Sequence, residues 1–163
     1  METDIQSQKI IANSFFHSHP LALLATIHKV QKPETAAVYF HIEPDCTCYF
    51  FTKEATRKYA NLTENPNVTL SVYDEAALTF GEIAGEASVV TDAETLAQIL
   101  PKLHTVVASR KNDYWVPPIA QLAAGSFTLF RVVPLEVRLT TFGSAVADAK
   151  PAHIVLTQSD LSV

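Results

Sequence analysis

Short apolar and alternating runs fill the middle of the chain, a pattern that predicts strands. Pro44-Asp45 joins two of these runs and indicates a hairpin, while Gly81 and Gly85 predict a bulge or bend in the longest run. Pro134 interrupts the last run, which we interpret as one strand or a strand pair. The predicted strands cover residues 21–27, 36–43, 46–53, 68–73, 78–90, 126–133 and 135–142, and residues 154–156 are a candidate edge strand.

Apolar residues spaced three and four apart predict helices around and between the strands. Thr3-Asp4-Ile5-Gln6 and Thr91-Asp92-Ala93-Glu94 have the spacing of capping boxes, so a helix is expected to begin at each. A further helix is predicted over 56–65, and Pro101 predicts a kink or two abutting helices in the third. About six strands with few crossover helices favour an antiparallel barrel over a doubly wound parallel sheet.

The length and composition predict one globular domain, and the predicted elements make it mainly β structure with flanking helices. The chain has 163 residues, of which 48% are apolar, and we expect a single domain over 1–163. Its core is expected at about 21–142, followed by a less ordered tail at 143–163.

Charge and hydropathy narrow the classes of function. The net charge is −5 and there is no basic run, which argues against a nucleic-acid partner or an anionic membrane surface. No stretch approaches the roughly 18 apolar residues of a membrane helix. The sequence begins Met1-Glu2-Thr3-Asp4, the wrong sign for a signal peptide, so we expect a cytoplasmic protein.

One segment carries candidate chemistry, where a predicted strand ends and a helix begins. Helix starts present free N–H groups that favour anions, and Thr52 and Thr56 add hydroxyls. Arg57 and Lys58 add two cations near the first turn, which together suit a phosphate. The alternative is a solvated helix face, since Glu54 and Lys58 form an i,i+4 pair.

The histidines and cysteines give weaker signals. His41 alternates with Tyr39 along a predicted strand, so it lines a cleft or faces solvent. His17-Ser18-His19 lies at a helix end, and we expect no metal site there. Cys46 and Cys48 share one strand face and are expected to be reduced.

Several motifs occur in the order of a known family. They are Cys48-Tyr49-Phe50-Phe51-Thr52, Thr56-Arg57-Lys58, Asn61-Leu62, Asn65-Pro66-Asn67-Val68-Thr69-Leu70 and the late Val132-Val133-Pro134-Leu135-Glu136-Val137-Arg138. On these segments the chain resembles the pyridoxamine 5'-phosphate oxidase-like, FMN-binding split-barrel family over roughly 21–142. The resemblance implies a six-stranded antiparallel split β-barrel.

The resemblance also implies a cofactor, its site and an assembly. Arg57 and Lys58, assisted by Thr52, would hold the phosphate of FMN. Backbone groups of 36–38, among them Ala37 and Val38, would line the isoalloxazine ring, with Phe51 packing nearby. Family members are typically homodimers with two FMN sites shared across the interface. We expect Leu78, Phe80, Ile83 and Phe127 to supply apolar dimer surface.

The chain departs from the founding oxidase of the family at three positions. Ala36 stands where an Arg is expected, His41 where a Lys is usual, and Phe80 replaces a flavin-contacting Gln. The C-terminal substrate-binding Arg and His motif is absent, so pyridoxamine phosphate oxidation is not expected.

These implications lead to a functional hypothesis with two alternatives. We expect an FMN-binding flavoprotein, a small flavin oxidoreductase or flavin reductase with a small-molecule substrate or a nicotinamide donor. The alternatives are a haem-binding or haem-utilisation protein and a non-catalytic flavin-binding protein. The 110–118 loop, with Trp115, is interpreted as a lid over a flat ligand or as a plug of the barrel end.

Overall fold

The computed structural model describes residues 4–109, 127–143 and 150–162, and in them the chain forms seven strands and four helices. The helices are α1 Ile5–Ser18, α2 Arg57–Glu64, α3 Ala93–Ala108 and α4 Gln158–Leu161. The strands are β1 Leu21–Ile27, β2 Pro33–Ile42, β3 Cys48–Lys53, β4 Asn67–Asp74, β5 Thr79–Val89, β6 Phe127–Thr141 and β7 Ala152–Thr157.

The strands form one antiparallel sheet that closes on itself. Their order is β3-β2-β1-β4-β5-β6-β7, and β3 also pairs with β6, so that Phe50 lies opposite Phe130. This pairing joins the first six strands into a closed barrel. The predicted six-stranded antiparallel split barrel with flanking helices is therefore confirmed, and β7 is an added strand.

β6 is the strand that connects the barrel to β7. It pairs with β5 along most of its length, with β3 along its first half and with β7 along its second half. A strand has only two edges, so β3 and β7 share the edge of β6 that β5 leaves open. The predicted break at Pro134 does not occur, because β6 is continuous over 15 residues.

Pro134 is accommodated by a bulge in β6, where Leu135 is the extra residue. The register of the β5–β6 pair shifts between Ala84 and Gly85, and Gly85 lies opposite Pro134. A Cβ atom added at Gly85 would lie 2.3 Å from the carbonyl oxygen of Val133. Proline lacks the N–H that a regular ladder requires, and glycine permits the close approach. The register shift lies at Gly85 as predicted, but the extra residue belongs to β6, so the bulge is in the partner of the run for which it was predicted.

The barrel interior is filled by aromatic and branched apolar side chains. Phe50 and Phe130 stack with ring centroids 5.6 Å apart, and Phe16 of α1 packs edge-on to Phe40. Ile83 is fully buried in this core and Phe127 is 9% exposed. The expectation that these last two residues supply dimer surface is wrong, because strand alternation turns Ile83 inward.

Two of the helices begin one residue later than the box spacing suggests. Asp4 caps α1 and Asp92 caps α3, each accepting a bond from a backbone N–H three residues on. α3 continues as one helix with Pro101 inside it, so the predicted alternative of two abutting helices does not occur, and its Ile99 and Leu103 are buried in an apolar cluster. No helix in the described ranges is long and apolar enough to cross a membrane.

The end of the chain is more ordered than its composition suggests. The candidate edge strand is confirmed as β7, whose Leu156 is fully buried, and Leu161 of α4 is 6% exposed. Apolar burial thus gives residues 152–162 a regular structure in place of the less ordered tail. The predicted 110–118 loop, with Trp115, lies outside the described residues.

Candidate functional site

The turn between β3 and α2 is held by threonine hydroxyls. Thr56 caps α2 by accepting a bond from the Tyr59 N–H, and its own hydroxyl donates to the Lys53 carbonyl at 2.7 Å. The buried Thr52 hydroxyl then donates to the Thr56 oxygen at 2.9 Å. Both hydroxyl protons are used within the turn. The Tyr59 N–H is used by the cap, so the backbone N–H groups of Arg57 and Lys58 and the side chains beside them remain to receive an anion.

Lys58 is the most prominent of these side chains. It is half-buried, and burial lowers the pKa of its ammonium. In residues 4–109, 127–143 and 150–162 no carboxylate forms an ion pair with Lys58. A desolvated cation without a counter-ion favours an anionic ligand.

Arg57 has a different environment. Its side chain is 85% exposed, and one guanidinium nitrogen lies 3.4 Å from a carboxylate oxygen of Glu34. The other Glu34 oxygen accepts a hydrogen bond from Asn61 at 2.9 Å. A carboxylate that sequence patterns did not indicate therefore lies beside the predicted phosphate site.

Two adjoining cavities extend from this cluster. The first, of about 200 Å³, contains Glu34, Ala36, Arg57 and Lys58 in its lining. The second, of about 250 Å³, lies between β2, β3 and α3. Thr56 and Lys58 line both cavities.

All six predicted site residues lie in the lining of this pair of cavities. Five of them line the larger cavity: Ala37, Val38, Phe51, Thr52 and Lys58. Arg57 lines the smaller one. The sequence did not indicate Leu103 and Val107 of α3, which form the opposite wall, because no local pattern reveals where a helix docks.

Of the three positions that depart from the founding oxidase, Ala36 lines the smaller cavity, and His41 and Phe80 line neither cavity. His41 follows Tyr39 on the same face of β2, and its Nε2 lies 3.0 Å from Glu43, which also pairs with Lys102 of α3. Burial lowers the pKa of His41, although the Glu43 carboxylate opposes this effect. Phe80 lies on β5, between Tyr73 and Thr140.

Comparison with known proteins identifies the family. The pyridoxamine 5'-phosphate oxidase family matches residues 11–141. The chain belongs to this family. None of the curated proteins matches the sequence.

Three solved structures are similar in fold. A heme-binding protein from Mycobacterium smegmatis has a TM-score of 0.72 and 16% identity, and the match covers 99% of this chain and 61% of that protein. A Clostridium acetobutylicum protein of the pyridoxinephosphate oxidase family, related to general stress protein 26, has a TM-score of 0.67 and 12% identity. The match covers 98% of this chain and 99% of that protein. A pyridoxamine 5'-phosphate oxidase-related, FMN-binding protein from Nostoc punctiforme has a TM-score of 0.55 and 11% identity. The match covers 93% of this chain and 94% of that protein. At these identities the likeness establishes the fold alone.

Proposed function

We propose that the paired cavities bind FMN, with the phosphate at the start of α2 and the ring in the larger cavity. The observation that carries this proposal is Lys58, a half-buried cation without a carboxylate partner among the described residues, which lines both cavities. The residues fit the cofactor at both ends. Lys58 and the first-turn N–H groups suit a phosphate, and Phe51 with the β2 backbone suits a flat ring.

The proposed activity is that of a small flavin oxidoreductase or flavin reductase. Bound flavin supplies the electron-transfer chemistry, so the protein has to bind the cofactor, orient it and tune its surroundings. Leu103 and Val107 exclude water from one wall of the larger cavity. A small-molecule substrate or a nicotinamide donor would then reach the flavin from its open side.

We further propose that the protein is a homodimer. Leu21 and Leu23 point outward from β1 and are 49% and 56% exposed. Leu23 pairs with Ala37, a residue of the larger cavity, so this apolar face is continuous with the pair of cavities, which we call the groove. A second copy on this face would bury the leucines and complete the groove.

The absorption spectrum of the purified protein, before and after incubation with FMN, tests the cofactor. Flavin bands that persist through desalting support the proposal. A Soret band would favour the haem-binding alternative, and neither band after incubation would contradict cofactor binding. If flavin is bound, its anaerobic bleaching by a reduced nicotinamide separates an oxidoreductase from a passive flavin-binding protein.

A further inference from the structure

A negatively charged side chain lies inside the cavity that the proposed function assigns to a phosphate. Glu34 lines the smaller cavity together with Arg57 and Lys58, and its side chain is 27% exposed. Phosphate sites are usually built from donors and cations, because a carboxylate repels the anion. This arrangement therefore bears on which ligands the cavity accepts.

Glu34 is held in place from the protein interior. Asn61 is 3% exposed, and its amide nitrogen donates to Glu34 at 2.9 Å and to Thr26 at 3.0 Å. Both amide hydrogens are thereby used. If Glu34 swung away, a buried donor would lose its partner, which is unfavourable.

Arg57, in contrast, is free to move. Its guanidinium is 85% exposed and meets Glu34 at the long distance of 3.4 Å. A phosphate that recruits Arg57 has to share it with a carboxylate that stays fixed. The phosphate also lies in the same small cavity as that negative charge.

We propose that Glu34 determines specificity by weakening the preference of the groove for phosphorylated over unphosphorylated flavin. The inference rests on the proposed FMN site. A phosphate dianion experiences the Glu34 charge at short range, whereas the neutral ribityl end of riboflavin does not. Glu34 therefore lowers the affinity for FMN and leaves the affinity for riboflavin almost unchanged.

Replacing the carboxylate by an amide tests the proposal. Glu34→Gln keeps an oxygen that can accept the Asn61 bond and removes the charge. Coulomb energies between charges a few ångströms apart near a protein surface exceed 1.4 kcal/mol, so FMN affinity should rise at least about tenfold. Riboflavin affinity should change less than about twofold. Both flavins are titrated by fluorescence quenching at one ionic strength, because salt screens the effect.

Two further variants complete the experiment. Glu34→Ala removes the charge without adding an amide donor that could itself bind phosphate, and it should change FMN affinity in the same direction. Glu75→Gln, in the exposed β4–β5 turn, removes the same charge elsewhere and should leave both affinities unchanged. Thermal unfolding of each variant verifies that the fold is retained.

The outcomes separate this inference from the proposed function. If wild-type protein and both Glu34 variants bind FMN equally, the inference is overturned while the FMN site stands. If the Glu34 variants bind FMN more weakly, Glu34 orients Arg57 for the phosphate and the inference is again overturned. If FMN binds to none of the proteins, the proposed function fails as well. FMN binding that appears only in the Glu34 variants supports the inference and contradicts the proposed function of the wild-type protein.

Discussion

The Lys58→Met substitution should test the proposed role of the Lys58 side chain in cofactor binding separately from its effect on folding. Methionine keeps much of the aliphatic stem and removes the charge. In the proposed complex the ammonium pairs with the FMN phosphate, so its loss should weaken FMN binding. Riboflavin has no phosphate, and its affinity should remain almost unchanged.

The magnitude follows from the environment of Lys58. A hydrogen bond to a charged group contributes about 1.5–3 kcal/mol, which corresponds to about one to two decades in affinity. We expect a loss near the lower value, since Lys58 is only half-buried and water can replace part of the contact. Arg57→Gln should cost less, because that guanidinium is 85% exposed and already faces Glu34. From the sequence alone, the bidentate geometry of arginine suggests the opposite ranking, in which loss of Arg57 weakens FMN binding more than loss of Lys58.

The stability of the protein without ligand should change in the opposite direction. Burial lowers the pKa of Lys58, so the folded state holds this proton less tightly than the unfolded state. The ammonium therefore destabilises the fold at neutral pH, and the penalty declines as pH rises from the lowered pKa of the folded state to the ordinary pKa of the unfolded state. Lys58→Met should match or exceed the wild-type melting temperature. FMN affinity should fall as pH rises through the same range, because neutral Lys58 no longer attracts the phosphate.

The assay is a fluorescence titration of FMN and riboflavin at fixed ionic strength, together with thermal unfolding. Lys32→Met is the matched control, since Lys32 is exposed and lines neither cavity. Equal losses for both flavins would indicate general damage and refute the assignment. A change in FMN affinity below about twofold would place the phosphate elsewhere.

Three further substitutions test the packing, the assembly and the position of α3. Gly85→Ala should cost about 2 kcal/mol or more in urea unfolding, because the new methyl group would lie 2.3 Å from the Val133 carbonyl oxygen. Leu23→Arg should convert the proposed dimer to a monomer by light scattering, and an unchanged mass would exclude the β1 face. Lys102→Met should cost about 1 kcal/mol at neutral pH. Burial would raise the pKa of Glu43, but hydrogen bonds from Lys102 and His41 hold it low, so this cost should vanish as pH falls through the carboxyl range.

Local patterns predicted the strands and the start of α2 because local physics decides them. Aromatic and β-branched residues bounded by turn signals favour strands, so 46–53 and 126–133 could be identified without knowledge of their partners. The threonine cap and adjacent cations at 56–58 are also local, since Thr56 bonds within its own turn. The pairing of β3 with β6 could be expected only from the family resemblance, because it joins residues about 80 positions apart.

The features that escaped sequence reasoning depend on contacts between distant residues. Asn61 meets Glu34 across 27 positions, and Lys102 meets Glu43 across 59. Neither pair has a fixed spacing that a motif could encode. The strand break predicted at Pro134 was wrong for a similar reason. The residue opposite Pro134 is Gly85 of β5, and the sequence does not show this pairing. The carboxylate beside the two cations of the smaller cavity could therefore be recognised only in the three-dimensional structure.

Flavin and haem require different side chains for binding, and the residues that line the groove favour flavin. Haem requires an axial ligand such as His, Cys, Met or Tyr, and among the described residues that line the larger cavity only Tyr39 belongs to this group. His41 is next on the same face of β2 but lies outside the lining of both cavities. The carboxylates of haem could also contact Lys58, so this cation does not discriminate between haem and FMN. FMN needs no ligand atom, and the proposal requires only a cavity for the ring next to a cationic helix start for the phosphate.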